Sequence, residues 1–359
     1  MDVKKILKNV LIALVIGLAI VNIIGIFFAK QDPISALKNY PLKAIVVLIL
    51  LMASDYSSQA IRTMIIVRSL GYKINFFQSL ENFFITVFFS FVTPMSIGGQ
   101  PFQIYHLTKL GIPSHEATNI SLTRMFESVF ITFTIDILML KIILRVLKGT
   151  LGLSLIMVGF FVTFGITIAG LLTFTNRDLL FAIFKFFSRI TKSKKLEERE
   201  RKALEWLDMM TKSTRELFRK NYWTLIVDFI LGILTSLIPS FMIKYAIEAV
   251  SARNVPLSNV PLSVVWGVVN MLNTIVFYIP TPGSSGGVEG FYQLVFSHIY
   301  EPKAVMTGVF VFRLVTYYLI VLLGILLIWK FAGFREEVSH VDGIEQENEQ
   351  AQSTVDDNK

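Results

Sequence analysis

The chain has 359 residues, 53% of them hydrophobic and only 17% charged, against roughly 25% charged in an average soluble domain. With a mean hydropathy of +0.62, this excludes an ordinary soluble enzyme and makes a bilayer the expected solvent. The formal charge of +8 needs no nucleic acid, because basic residues beside membrane spans set orientation and attract anionic headgroups.

The first apolar run, Leu7 to Phe28, follows Lys4 and Lys5. It exceeds the roughly 7 to 15 apolar residues of a secretory signal, so it reads as a retained span. Lys43 to Val67 is the second span. Phe76 to Leu110 is also apolar, but Pro and Gly near its middle interrupt helical hydrogen bonding. Ala117 to Val146 and Leu151 to Phe174 then read as spans. The next segment, 176 to 220, carries 13 Lys or Arg against 7 Asp or Glu, which assigns it to the cytoplasm. Its pattern of Leu196, Ala203, Leu204, Leu207 and Met210, with Trp206 alongside, suits an amphipathic helix lying on the membrane or packed on loops. Trp223 to Val250 is a further span. Ser258 to Tyr300 is the second stretch broken by Pro and Gly, and Lys303 to Phe331 the last span. The remainder, 336 to 359, is acidic and polar and is expected to be disordered.

The expected architecture is therefore an all-α polytopic membrane protein, with about six full spans and two broken re-entrant hairpins. Eight complete crossings would leave the basic segment outside, so one stretch before it must turn back. Phe76 to Leu110 is the natural one, entering from the cytoplasm. With Ser258 to Tyr300 as a second hairpin entering from outside, both termini are cytoplasmic. Lys141, Arg145 and Lys148 carry the locally wrong sign for this arrangement. The integral membrane domain would cover 1 to 335, in halves of about 1 to 150 and 151 to 335.

A motif occurs twice. Thr93-Pro94-Met95-Ser96-Ile97-Gly98-Gly99 matches Thr281-Pro282-Gly283-Ser284-Ser285-Gly286-Gly287 at five of seven positions, one copy in each broken stretch. Pro94 precedes Arg124 by 30 residues and Pro282 precedes Arg313 by 31. Pro, Gly and Ser gather wherever helices break, so a short match has a bland explanation. The matched arginines weaken it, because a charge at mid-membrane costs about 2.5 to 3.5 kcal/mol even on lenient scales. Related copies make the two halves an inverted repeat, the plan of many secondary transporters, whose sites form at the midplane where helices break. Amides freed there need a partner, and a helix amino terminus favours an anion.

The candidate binding residues follow from that plan: Thr93, Pro94, Ser96, Gly98, Gly99, Gln100, Gln103, Arg124 and Glu127 in the first half, and Thr281, Pro282, Ser284, Gly286, Gly287, Glu289 and Arg313 in the second. Tyr105 and His106 lie beside the first set. Each either binds a headgroup or coupling ion or merely satisfies broken backbone. Glu289 needs a partner or a proton at such depth, and Arg124 or Arg313 can supply the partner. Arg124 and Glu127, three apart, also suit an intrahelical pair. Asp55, Gln59 and Arg62 stack on one face, to line a polar path or to lock helices together. Asp136 and Asp228 are isolated acids, either proton carriers or hydrogen-bonded structure.

No catalytic residue, metal site or cofactor is expected. With no cysteine, thiolate chemistry is absent. The four histidines show no ligand-like pairing, neither break carries the Gly-Lys-Ser/Thr of a phosphate loop, and Ser284 and Ser285 have no neighbouring His and Asp.

At Pro94 with Gly98-Gly99-Gln100-Pro101, at Arg124, and at Pro280-Thr281-Pro282 with Gly286-Gly287-Val288-Glu289, the chain resembles the membrane region of lysylphosphatidylglycerol synthases, the multiple peptide resistance factor family. The resemblance implies a prokaryotic inner-membrane protein whose region flips aminoacylated phosphatidylglycerol between leaflets, with lysyl transfer in a separate domain. Only 28 residues follow Phe331, short of a domain of ordinary size. The implied function is thus a lipid translocase binding an anionic or aminoacylated phospholipid such as lysylphosphatidylglycerol. The alternative is a phosphatidylglycerol lysyltransferase or its membrane subunit, using lysyl-tRNA and conferring resistance to cationic peptides. A structural partner for a separate synthase is a third class.

Overall fold

A computed structural model of the chain describes residues 37–38, 40–175, 219, 221–251, 260–277 and 279–326. The expected first span Leu7 to Phe28, nearly all of the basic segment and the acidic tail lie outside them. The described secondary structure is helical: α1 (Leu42–Ser69), α2 (Phe76–Val92), α3 (Gly99–Lys109), α4 (Ser114–Val146), α5 (Leu151–Thr175), α6 (Tyr222–Thr235), α7 (Leu237–Ser251), α8 (Leu262–Phe277), α9 (Gly287–Phe296) and α10 (Pro302–Arg313). A π-helical segment, Leu314–Tyr318, continues α10, and the helix runs on to Leu326.

Local chemistry explains most of these bounds. Asn75 caps α2 by accepting from the Gln78 amide at 2.8 Å, and the Gln78 side chain accepts from the Asn75 amide at 2.9 Å, satisfying two otherwise orphaned donors. Pro94 and Pro282 sit where a continuing helix would need an amide donor, and each begins a three-residue 3-10 turn, Pro94–Ser96 and Pro282–Ser284. Both broken stretches expected from the sequence are therefore helix, turn, helix.

Among the described residues four helices are long and apolar enough to cross a membrane: Leu42–Ser69, Leu151–Ala169, Tyr222–Val250 (α6 with α7) and Pro302–Leu326. They coincide with four expected spans. The 33-residue α4 is longer, but it carries Arg124, Glu127, Asp136, Lys141 and Arg145 and is not one of the four. Large apolar side chains face outward along α1 (Leu42, Val46, Leu50), α5 (Val158, Phe161, Phe164) and α6 (Ile226, Ile230, Leu234). Such continuous apolar exposure marks a surface that meets lipid rather than water.

The Pro302–Leu326 helix is the most enclosed of the four spans. It packs on α7 so closely that a Cβ at Gly308 would lie 2.6 Å from the Ile247 Cα. The main core draws on α1, α7, α8, α9 and α10. In the first half, α1, α2, α3 and α4 pack in sequence, while α8 lies against both α4 and α5.

Candidate functional site

The two turns meet. Every Cα of Pro94–Ser96 lies within 8 Å of every Cα of Pro282–Ser284, and α2 touches both turns. Their backbones also agree: Thr93 and Thr281 are extended, at φ −117° and −115°. Met95 (φ 53°, ψ 22°) and Gly283 (φ 58°, ψ 22°) are both left-handed, as are Ser96 and Ser284. The Ser96 and Ser284 amides donate to the Thr93 and Thr281 carbonyls at 3.3 and 3.0 Å. The match ends at the glycines, where Gly98 has φ −71° and Gly286 has φ 88°.

Beyond the second turn, Glu289 is fully buried. Its Oε1 accepts from Arg313 Nε at 2.9 Å and its Oε2 from the Gly286 amide at 2.7 Å. Arg313 Nη2 donates to the Gly283 carbonyl at 2.9 Å and to Ser285 Oγ at 3.4 Å, while the guanidinium lies 4.2 Å from the Tyr317 ring centroid. Arg313 is thus the partner that Glu289 requires, and the pair clamps the turn to the central helix. Gly287 begins α9, and Thr281 Oγ1 donates to the Ser285 carbonyl at 2.8 Å.

The first turn has no such clamp. Aligning the glycines puts Pro101 opposite Glu289, and the Gly98 amide donates instead to Thr93 Oγ1 at 2.9 Å. The amides of Gly99 and Gln100 find no acceptor among the described residues, so the amino end of α3 keeps free donors. Gln103 is a hydrogen-bonding hub: its carbonyl accepts from Asn82 Nδ2 at 3.1 Å and its Oε1 from Ser121 Oγ at 2.7 Å, joining α2, α3 and α4. His106 lies 3.3 Å from Asn82 and 3.9 Å from a Glu81 oxygen. Tyr105 is exposed, with Lys109 over its ring.

Arg124 does not reach the first turn. It belongs to a second buried cluster between α1, α4 and α6. Asp228 accepts from Arg62 Nε at 2.8 Å and from Arg124 Nη1 at 3.0 Å. Gln59 Oε1 accepts from Arg124 Nη2 at 3.0 Å and Arg62 Nη1 at 3.2 Å. Glu127 Oε2 stands 3.3 Å from Arg62 and 3.5 Å from Arg124. The intrahelical pair of Arg124 with Glu127 is therefore present as one edge of a larger network. Asp228 is held by two arginines, an ion-pair anchor rather than an isolated acid. Gln59 and Arg62 lock helices together.

Two features escaped the sequence. Arg62 and Asp228, 166 residues apart, give no local signal of pairing. The π-helical segment after Arg313 brings Tyr317 against Gly283 of the second turn and Tyr318 into the cluster with α2; such insertions cluster at functional sites, but no residue pattern announces one. Asn82 was legible in principle, as part of the polar stripe Asn82, Thr86, Ser90 on a largely apolar helix.

The arrangement holds buried charge beside free amide donors; among the described residues no group of three metal-ligating side chains occurs. Comparison with known proteins agrees with this membrane setting. The sequence model described as "Lysylphosphatidylglycerol synthase TM region" matches residues 10–324. A UPF0104 membrane protein of Archaeoglobus fulgidus is similar at 25% identity over 326 residues, covering 88% of this chain and 94% of that relative. Since the family match takes in both turns and nearly all of the described helical residues, this multi-pass membrane protein belongs to the lysylphosphatidylglycerol synthase transmembrane-region family.

Proposed function

We propose that the protein is a lipid translocase, moving an anionic or aminoacylated phospholipid across a prokaryotic cell membrane, with its headgroup held where the two turns meet. The observation that carries this reading is the contact of Pro94–Ser96 with Pro282–Ser284. Two helix-breaking turns brought together within a lipid-facing shell form the kind of discontinuous centre that transporters use. The asymmetry of the turns gives them different tasks. The second is filled by its own carboxylate, Glu289, clamped by Arg313. The first offers the unpaired amides of Gly99 and Gln100, a setting suited to phosphate. Thr93, Ser96 and Gln100 line that side, and acyl tails remain in the bilayer.

In the same proposal α2 with α3 and α8 with α9 are re-entrant hairpins of an inverted repeat. About six full spans, one of them α4, surround them, and both termini are cytoplasmic. A separate synthase would supply an aminoacylated substrate. Residues Thr281, Pro282, Ser284, Gly286 and Gly287 shape the second turn, and Arg124 and Glu127 hold the first half against α6.

The test is leaflet exchange of a fluorescent phospholipid in liposomes containing the purified protein. Wild type should accelerate exchange. Glu289→Gln and Arg313→Gln should each slow it by about tenfold or more, since each removes a charge-assisted bond of roughly 1.5 to 3 kcal/mol. Wild-type protein that leaves exchange at the protein-free rate removes the proposal. Lysyl-lipid formed by the pure chain from charged tRNA would establish the competing assignment, lysyl transfer.

A further inference from the structure

Asp136, on α4, has no exposed surface, and neither of its carboxylate oxygens has a hydrogen-bond partner among the described residues. In this it differs from Asp228 and Glu289, which guanidinium groups hold. The two helices packed along this side of α4 are α5 and α8, and neither contains an ionisable residue. They offer hydroxyls that are already engaged. Thr163 Oγ1 lies 3.0 Å from the Gly159 carbonyl and 3.0 Å from Thr274 Oγ1. Thr167 donates to the Thr163 carbonyl at 2.7 Å, and Thr274 faces the Asn270 carbonyl. Thr163 presents its hydroxyl to Asp136 as a weak hydrogen-bonding neighbour, short of full hydrogen-bond geometry, and it brings no positive charge.

Charged groups of the other described elements against α4 are committed elsewhere, Arg68 of α1 to the Ile74 carbonyl and Asp55 of α1 to Gln59. Arg62 of α1 and Asp228 of α6 bind each other, while on α3 His106 is next to Asn82 and Lys109 covers Tyr105. On α4 itself, Glu127 faces the two arginines and Lys141 points outward. The packing on this side is close: a Cβ at Gly159 of α5 would stand 2.4 Å from the Met271 carbonyl of α8.

An ionised carboxylate in this position would be desolvated with no cation among the described residues to compensate it. A sodium ion would need several oxygens turned towards it, whereas one proton neutralises the group unaided. We propose that Asp136 is a proton-carrying carboxyl, which binds a proton on one oxygen in the closed bundle and releases it to water when α4 parts from α5 and α8. Coupling of that proton to lipid movement rests on the translocase reading; its occupancy does not.

The experiment uses wild-type protein in liposomes and dicyclohexylcarbodiimide, a probe that attacks protonated carboxyls in apolar surroundings, with the modified peptide located by mass spectrometry. Asp136 should be labelled, and labelling should fall by about tenfold for each pH unit once the carboxyl ionises. Asp136→Asn should lose that label. No label at Asp136, a label indifferent to pH, or protection by sodium at constant pH would overturn the assignment. In parallel, an imposed pH gradient should alter lipid exchange by wild type and leave exchange by Asp136→Asn unchanged; equal responses would remove the coupling. Absence of any exchange by wild type would count against the translocase alone, with the labelling result still standing.

Discussion

Met95 and Gly283 hold the same left-handed backbone in the two turns, yet only one of them is glycine. The difference lies in their surroundings. A Cβ on Gly283 would stand 2.0 Å from the Tyr317 ring, whereas Met95 is 37% exposed and its side chain has room. Left-handed backbone costs a non-glycine residue roughly 1 to 2 kcal/mol, and forcing atoms into packed space adds about 1 to 3. Gly283→Ala should therefore destabilise the protein by about 2 to 5 kcal/mol, while Met95→Ala should stay within about 1 kcal/mol. Thermal unfolding in detergent tests the contrast. Equal midpoints for the two variants would mean that Tyr317 does not press on the second turn.

Helices α1, α4 and α6 are held together by buried charge. Asp228 has no exposed side-chain surface, and Arg62 only 7%. Removing one member strands the others, at a cost of about 3 to 5 kcal/mol when a buried partner is lost. Asp228→Asn should accordingly lower the unfolding midpoint more than Glu127→Gln does. Asp228 makes two hydrogen bonds to the arginines, at 2.8 and 3.0 Å, whereas Glu127 approaches them only to 3.3 and 3.5 Å. If Glu127→Gln proved the more damaging change, the network would be organised around α4 rather than α6. The π-helical segment after Arg313 works at the same scale, since its extra residue turns Tyr317 under Gly283 and puts Tyr318 into the cluster with Phe88 and Val92.

For the whole molecule, the defining feature is a contact between turns far apart in sequence. The chain contains no cysteine, so the native protein is already the background for cross-linking. Ser96→Cys combined with Ser284→Cys should be joined by a short bifunctional thiol reagent in membranes, because the two Cα atoms lie within 8 Å. Each single variant should remain unjoined. Failure of the pair, with each thiol shown to react alone, would mean that the turns do not meet.

Composition and hydropathy were enough to identify an all-helical membrane protein, because the bilayer requires long apolar helices and admits few other solutions. The repeated Thr-Pro and Gly-Gly also located both helix breaks, since Pro and Gly act through local backbone chemistry that no distant residue can cancel. Partnership was another matter. Glu289 could be seen to need a cation, but its choice of Arg313 over Arg124 depended on which helix lies beside the second turn. Arg124, spaced like Arg313 in sequence, turned away to Asp228. Asp136 and Asp228 look alike along the chain, each a single acid in an apolar run, and only packing gave one two arginines and left the other with none. Sequence governs what each segment can do with its own atoms; which buried charges neutralise one another is decided when the helices assemble, because Coulombic pairing depends on distances that folding alone creates.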